Sequence, residues 1–153
     1  MTTTTERTKI LLADDHTLVR DGLREVISHW DEFQVVGEAA NGQEAVELCR
    51  QKSPDIVLMD IQMPVMNGVE AAHLIHAESP STAVVMLTIS VDDRDIFEAV
   101  KQGARGYILK SISSRQLRER LNEVTRREVP RSGGVAAKML ADVYPLPRGE
   151  GAG

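Results

Sequence analysis

Five short, mostly apolar runs, separated by stretches of helical periodicity, constrain this chain more than any other feature. They are Ile10-Leu11-Leu12-Ala13, Phe33–Gly37, Ile56-Val57-Leu58-Met59 running into Asp60, Ala83–Thr88 and Gly106–Lys110. The runs into Asp60 and through Ala83–Thr88 read as strands buried on both faces, and the other three as strands. They recur at roughly 20–25 residues per βα unit, which implies a parallel sheet with helices on both faces, joined by right-handed crossovers. The expected fold is therefore α/β: a five-stranded, doubly wound parallel sheet in the order 2-1-3-4-5, with five helices. In that order the first and third strands flank the switch point at which ligands bind.

The intervening stretches carry the helix signals. From Thr17, the residues Leu18, Val19, Leu23, Val26, Ile27 and Trp30 recur at helical spacing. Asn41-Gly42-Gln43-Glu44 has the capping-box pattern with Asn as the cap, and Ala45, Val46, Leu48 and Cys49 supply the inward face behind it. A third helix is expected over Val69–Ala77, closed by Ser79-Pro80. A fourth is expected from Asp92 to Gln102 with Gly103 as its C-terminal cap. Ser113-Ser114-Arg115-Gln116 opens the fifth, whose stripe is Leu117, Leu121 and Val124 and whose polar side carries Arg115, Arg118, Arg120, Arg126 and Arg127. From Pro130 the pattern ends. Val135–Val143 has the makings of one short helix, but Gly133-Gly134, Pro145, Pro147 and the glycine-rich end read as linker.

At 153 residues the chain suits one domain with a real core. Its net charge of −5 argues against a nucleic-acid binder along the whole length. The charge is uneven: residues 1–112 hold 10 basic and 18 acidic side chains, and residues 113–153 hold 8 and 5. A lone Cys49 excludes an internal disulfide and a cysteine-rich zinc site and fits a reducing compartment. No apolar run approaches the ~18 residues that span a bilayer, and the threonine-rich start lacks a signal peptide's apolar core. A soluble cytoplasmic domain without membrane contact is expected, over residues 8–128. Residues 1–7 form a disordered lead-in and 129–153 a linker or tail.

If the sheet is parallel, its C-terminal strand ends share one edge. There the sequence places Asp14-Asp15, Asp60, Thr88 and Lys110. Three carboxylates so close repel one another and call for a cation. Hard oxygen ligands without histidine or cysteine support select Mg²⁺ over zinc. That leaves Asp60 free to attack phosphorus, since aspartyl phosphates are established covalent intermediates. Lys110 then serves as a compact counter-charge, and Thr88 as a hydroxyl donor to an attached phosphoryl group. Each residue has a plainer reading too: Asp14-Asp15 as helix-capping acids, Lys110 as a solvated charge, Thr88 as a β-branched strand residue.

Together these residues resemble the receiver domain of two-component response regulators, a flavodoxin-like fold, over about residues 8–128. Asp60-Ile61-Gln62-Met63-Pro64-Val65-Met66-Asn67-Gly68, Leu87-Thr88-Ile89-Ser90 and Gly103–Lys110 are most similar to the LuxR/NarL/FixJ-type branch, whose members carry a C-terminal helix-turn-helix. The resemblance implies that Asp60 accepts a phosphoryl group from a sensor histidine kinase. It implies that Asp15, Asp60 and the Gln62 carbonyl bind Mg²⁺ with Asp14 assisting, and that Thr88 and Tyr107 form a switch pair. It also implies a homodimer through the outer helices, DNA contact only through an output domain absent from this chain, and at most slow self-phosphorylation and self-dephosphorylation. A stand-alone receiver acting by protein–protein contact is the alternative.

A Mg²⁺-dependent phosphatase with a strand-end Asp needs a second acid two residues on; here that position is Gln62, which does no general acid–base work. A nucleotide-binding module needs glycines or hydroxyls after the first strand, where this chain has Asp14-Asp15-His16. Gln62 and Ser90 lie where side chains tune attack of water on a phosphate. His16 either borders the pocket or is merely next to it. His73 and His76 read as solvent-exposed, Cys49 as a core filler, and Tyr107 as either switch or packing aromatic.

Overall fold

The computed structural model of the chain describes residues 7–89 and 94–126. Residues 1–6 of the expected lead-in over 1–7, Ser90, the expected helix start at Asp92, Arg127 and the expected tail from 129 lie outside the described residues.

Ten elements alternate: β1 (Thr8–Ala13), α1 (Thr17–Ser28), β2 (Phe33–Ala39), α2 (Gly42–Lys52), β3 (Ile56–Asp60), α3 (Gly68–Glu78), β4 (Ala83–Thr88), α4 (Arg94–Lys101), β5 (Gly106–Leu109) and α5 (Ser114–Thr125). The strands form one sheet in the order β2-β1-β3-β4-β5, every pair parallel. This is the expected doubly wound fold. Every residue of β3 and β4 is buried, as strands covered by helices on both faces require.

Two apolar layers sandwich the sheet. One joins Ile10, Leu12, Leu58 and Ile108 to Ile27 of α1 and to Leu117, Leu121 and Val124 of α5. The other joins Leu11, Val57, Met59 and Met86 to Ala45 and Cys49 of α2, Ile75 of α3 and Ile96 of α4. Odd and even strand residues part between the layers, as the period of two demands. β2 breaks the rule. Ile10 pairs with Val35 and Leu11 with Gly37, so Val36 is an extra residue, a β-bulge. Before it, Phe33 and Val35 pack into the α1/α5 layer. After it, Ala39 packs into the opposite layer, although all three positions are odd. The residue between, Glu38, is thereby turned to the α1 side.

The caps follow the side-chain chemistry. Asn41 accepts a hydrogen bond from the Glu44 N–H at 2.9 Å. The Glu44 carboxylate reaches back to the Ala40 N–H at 2.8 Å, one residue upstream of the usual box. Asn67 caps α3 through the Glu70 N–H, and Ser113 caps α5 through the Gln116 N–H. After α4 the Gly103 N–H donates to the Val100 carbonyl and the Ala104 N–H to the Ala99 carbonyl. With Gly103 at φ +116°, these two bonds make a Schellman cap. A Cβ at Gly103 would collide with the His76 ring.

Two expectations for α1 are corrected. Leu18 does not join the inward stripe but is 86% exposed, because the buried face runs through Leu23 and Ile27 and Leu18 lies off it. Trp30 lies beyond the helix end, its N–H bonded to the Ile27 carbonyl and its ring edge-on to Phe33 at 6.2 Å.

Candidate functional site

Parallel pairing brings the strand ends together. Asp60 closes β3 opposite Leu87, Thr88 closes β4, Asp14 follows β1, and Lys110 follows β5. The Lys110 N–H donates to the Thr88 carbonyl at 2.7 Å, continuing the ladder one step past the strand and fixing where the ammonium stem begins. Its Nζ lies 3.1 Å from Asp14 Oδ2 and 3.2 Å from Asp60 Oδ1. The lysine bridges two buried carboxylates, since Asp14 is 1% and Asp60 6% exposed. Asp15 and His16 stand at the solvent side of the same cluster. One ligand atom from each of Asp14, Asp15, His16 and Asp60 lies within 4.8 Å of the others.

Burial pushes the Asp60 carboxyl above its ordinary value, Asp14 repels its charge in the same direction, and Lys110 partly offsets both. Burial pulls the Lys110 ammonium down, but its contacts with the two aspartates outweigh that and hold it above the ordinary lysine value. Asp14 Oδ1 accepts from the His16 backbone N–H at 2.9 Å and faces His16 Nδ1 at 3.1 Å. Asp14 Oδ2 is buried without a well-directed hydrogen bond; its 3.1 Å approach to Lys110 is an ion-pair contact only. An under-satisfied buried oxygen within a set of three carboxylates fits a hard dication, which takes oxygen ligands and retains waters. His16, 65% exposed at its side chain, borders the pocket.

The loop after β3 is held by backbone. The Gly68 N–H donates to the Ile61 carbonyl at 2.8 Å, and the Gly42 N–H donates to the Met66 carbonyl at 2.9 Å, tying the loop to α2. A Cβ at Gly68 would fall far inside 3.0 Å of the Asp60 carbonyl oxygen, and one at Gly42 far inside it of the Met66 carbonyl. Both sites require glycine by close approach. Between them the Met66 N–H donates to the Pro64 carbonyl at 2.7 Å around Val65 at φ +69°. That is a γ-turn of the strained hand, unexpected at a β-branched residue.

The structure thus gathers Asp14, Asp15, Asp60, Thr88 and Lys110 at one edge. Gln62 is exposed in the loop after Asp60. Tyr107, one strand over from Met86, is 9% exposed and packs in the layer beneath α2, α3 and α4. His73 and His76 are exposed on α3, away from the cluster. One residue without a sequence motif also reaches Asp14, and a second holds it. Arg20 of α1 donates to the Asp14 carbonyl oxygen at 2.5 Å and to Glu38 of β2 at 3.3 Å.

The sequence profile of the response regulator receiver domain matches residues 10–122. The chain belongs to the response regulator receiver family. It is a receiver domain of the LuxR/NarL type, as its relatives show. The transcriptional regulatory protein LnrK of Bacillus subtilis (strain 168) is 48% identical over 106 residues, covering 69% of this chain and 48% of that protein. The nitrate/nitrite response regulator NarL of Escherichia coli (strain K12) is 35% identical over 138 residues, covering 90% and 64%. The chain thus spans about half to two thirds of the length of these curated relatives. Among solved structures, a LuxR-family response regulator from Aurantimonas sp. SI85-9A1 superposes with a TM-score of 0.75 at 32% identity, over 80% of this chain and 88% of that one. The signal receiver domain of the NarL regulator from Mycobacterium tuberculosis gives 0.77 at 28% identity, over 81% and 100%.

Proposed function

We propose that residues 8–128 are a phosphorylation-activated switch in which Asp60 accepts a phosphoryl group from a sensor histidine kinase. The observation that carries this is the Lys110 ammonium bridging buried Asp14 and Asp60, with Asp15 alongside. Asp15, Asp60, the Gln62 carbonyl and Asp14 would hold Mg²⁺. The ion supplies charge neutralisation on the transferring phosphoryl oxygens and an orientation for them.

The chain's own groups do the rest. An Asp60 carboxylate oxygen attacks phosphorus, the N–P bond of the donor phosphohistidine breaks, and its electron pair returns to the imidazole. Lys110 stands beside the acceptor as a fixed positive charge for the phosphoryl oxygens, in a site that excludes most solvent. Thr88, 3% exposed at the same edge, donates its hydroxyl to the attached group. Tyr107 follows that movement, an electrostatic event at the site biasing a packing arrangement. Gln62 offers no proton two residues after Asp60, which supports a phosphate that persists as a signal and argues against a phosphatase.

Partner contact is supported at the rim. The large exposed apolar side chains among the described residues are Leu18, Val65 and Ile89. Leu18 lies at the start of α1, Val65 in the loop after β3 and Ile89 directly after β4, all on segments that leave the C-terminal strand edge, the face proposed for docking a protein donor. In the full-length protein the receiver would control a LuxR-type DNA-binding output reached through the segment 129–153, since the relatives are transcriptional regulators longer than this chain. The outer helices would pair two copies. The cytoplasm is the setting we propose, since a receiver of this type takes its phosphoryl group from a kinase there. Among the described residues no helix is long and apolar enough to cross a membrane.

The test is direct. Incubation with Mg²⁺ and phosphoramidate or acetyl phosphate should add the mass of one phosphoryl group, and chelation of Mg²⁺ should abolish it. No gain in the wild type, or an undiminished gain in Asp60→Ala, overturns the assignment.

A further inference from the structure

We infer that Arg20 is a positioning residue for the acidic pocket: through its bond to the Asp14 carbonyl and its anchorage on Glu38, it sets the affinity of the Asp14-Asp15 loop for a divalent cation. The inference rests on the reading of that pocket as a Mg²⁺ site.

Asp14 leaves the sheet at the edge of β1. Its N–H is satisfied by the Ala39 carbonyl at 3.0 Å, but β1 and β3 stop pairing at Ala13 and Met59. The Asp14 carbonyl therefore lies past the last ladder rung. It is taken by the Arg20 guanidinium at 2.5 Å, in a part-buried place where the arginine side chain is 16% exposed. A buried carbonyl without a donor is costly, and a charged donor makes the stronger bond. Arg20 is one turn into α1, so it ties the loop's start to the helix that the same loop enters.

The guanidinium is itself held. Its Nε donates to Glu38 Oε1 at 3.3 Å, and Glu38 Oε2 accepts from Arg24 Nη1 at 2.6 Å. Glu38 faces α1 only because the bulge at Val36 reverses the faces of β2. The fork of one arginine thus links three elements around Asp14, a geometry a lysine ammonium does not reproduce. The Arg20 bonds go to the Asp14 carbonyl and to Glu38, not to the three carboxylates of the cluster. Its effect passes through backbone position, as outer-shell groups act on metal ligands.

The experiment measures Mg²⁺ binding by isothermal titration calorimetry and, separately, the Mg²⁺ dependence of phosphorylation by phosphoramidate, in wild type, Arg20→Ala, Arg20→Lys, Glu38→Gln and Arg20→Ala/Glu38→Gln. Arg20→Ala should weaken Mg²⁺ binding roughly tenfold or more, the usual cost of losing an outer-shell partner, while the rate at saturating Mg²⁺ stays within about threefold. Glu38→Gln should weaken binding less, and the double variant should match Arg20→Ala alone, because both act through one guanidinium. Wild-type affinity in a folded Arg20→Ala, full rescue by Arg20→Lys, or additive losses in the double variant each overturn the inference. If Arg20→Ala does not melt cooperatively, Arg20→Lys and Glu38→Gln decide, and wild-type affinity in both overturns it. A wild type that neither binds Mg²⁺ nor gains a phosphoryl group sinks the site reading itself, which separates the two failures.

Discussion

Gly22 and Gly68 both lie in helices, yet alanine should act on them with opposite signs. At Gly68, the first residue of α3, a Cβ meets three backbone atoms: the Asp60 carbonyl oxygen far inside 3.0 Å, and the Asp60 carbon and Ile61 Cα at 3.0 Å. Backbone does not swing aside as a side chain does. Relief requires α3 to retreat, which strains the surrounding packing by about 1–3 kcal/mol. It also loosens the Gly68 N–H bond to the Ile61 carbonyl, worth about 1 kcal/mol. Alanine's better helix propensity returns about 0.5–1 kcal/mol. The net expectation for Gly68→Ala is a loss of about 1–3.5 kcal/mol. At Gly22, mid-α1, a Cβ meets nothing within 4 Å, so only the propensity gain remains and Gly22→Ala should gain about 0.5–1 kcal/mol. Urea unfolding followed by far-UV circular dichroism and by Trp30 fluorescence gives both values. Because the strained carbonyl belongs to Asp60, Gly68→Ala should also slow phosphorylation at least roughly tenfold, as misplacement of a reacting group does. A Gly68→Ala protein as stable as wild type, with unchanged phosphorylation, would refute the close-approach reasoning.

Asp60→Asn should raise the melting temperature at pH 7 without Mg²⁺. Burial and Asp14 hold the folded Asp60 carboxyl above its unfolded value, so its ionised form costs stability at neutral pH, by about 1 kcal/mol. Glu32 behaves oppositely. Arg118 grips both its oxygens at 2.7 and 2.8 Å, and that pairing lowers its pKa to about 2. Its stabilisation is full above the unfolded value near 4.5 and is lost as pH falls toward 2. With both partners a third or more exposed at their side chains, Glu32→Gln should cost only about 0.5–1 kcal/mol at pH 7, and the difference from wild type should shrink in melts run from pH 5 to pH 3. Val65→Gly should be neutral or stabilising by up to about 1 kcal/mol in the same unfolding assay, because Val65 is 75% exposed at φ +69° and glycine carries no left-handed penalty. Burial pushes the Cys49 thiol up to about 12, so iodoacetamide at pH 8 should leave the native protein unmodified and label it fully in urea.

The strand ends were legible because each is marked twice, by the close of an apolar run and by a polar residue that the run has no reason to carry. Asp60 after Ile56-Val57-Leu58-Met59 and Lys110 after Tyr107-Ile108-Leu109 need only the parallel arrangement to meet, and the arrangement follows from the alternation itself. The helix caps at Asn41 and Ser113 were legible for a similar reason, since their side chains compete for the orphan N–H groups of the first turn. Residues whose role depends on tertiary geometry were not. Leu18 sits at helical spacing with Val19, yet a stripe about 100° wide has an edge that spacing alone does not locate. Val65 accepts a left-handed turn that its β-branched side chain disfavours, held by the bonds of Met66 to Pro64 and to Gly42.

The bulge at Val36 is the deepest of these, because one unpaired residue leaves no mark in composition. A strict period of two across Phe33–Ala39 puts Val35, Gly37 and Ala39 on one face, and makes Glu38 a solvated charge at the end of an apolar run. The pairing of Leu11 with Gly37 reverses everything after it. Ala39 drops into the layer under α2, and Glu38 turns toward Arg20 and Arg24. A charge that a strict period of two would leave in solvent becomes the anchor of the guanidinium that bonds the Asp14 carbonyl. The acids themselves are visible in the sequence; the anchor of the arginine that bonds the Asp14 carbonyl depends on a register shift one strand away, and only β1–β2 pairing reveals it.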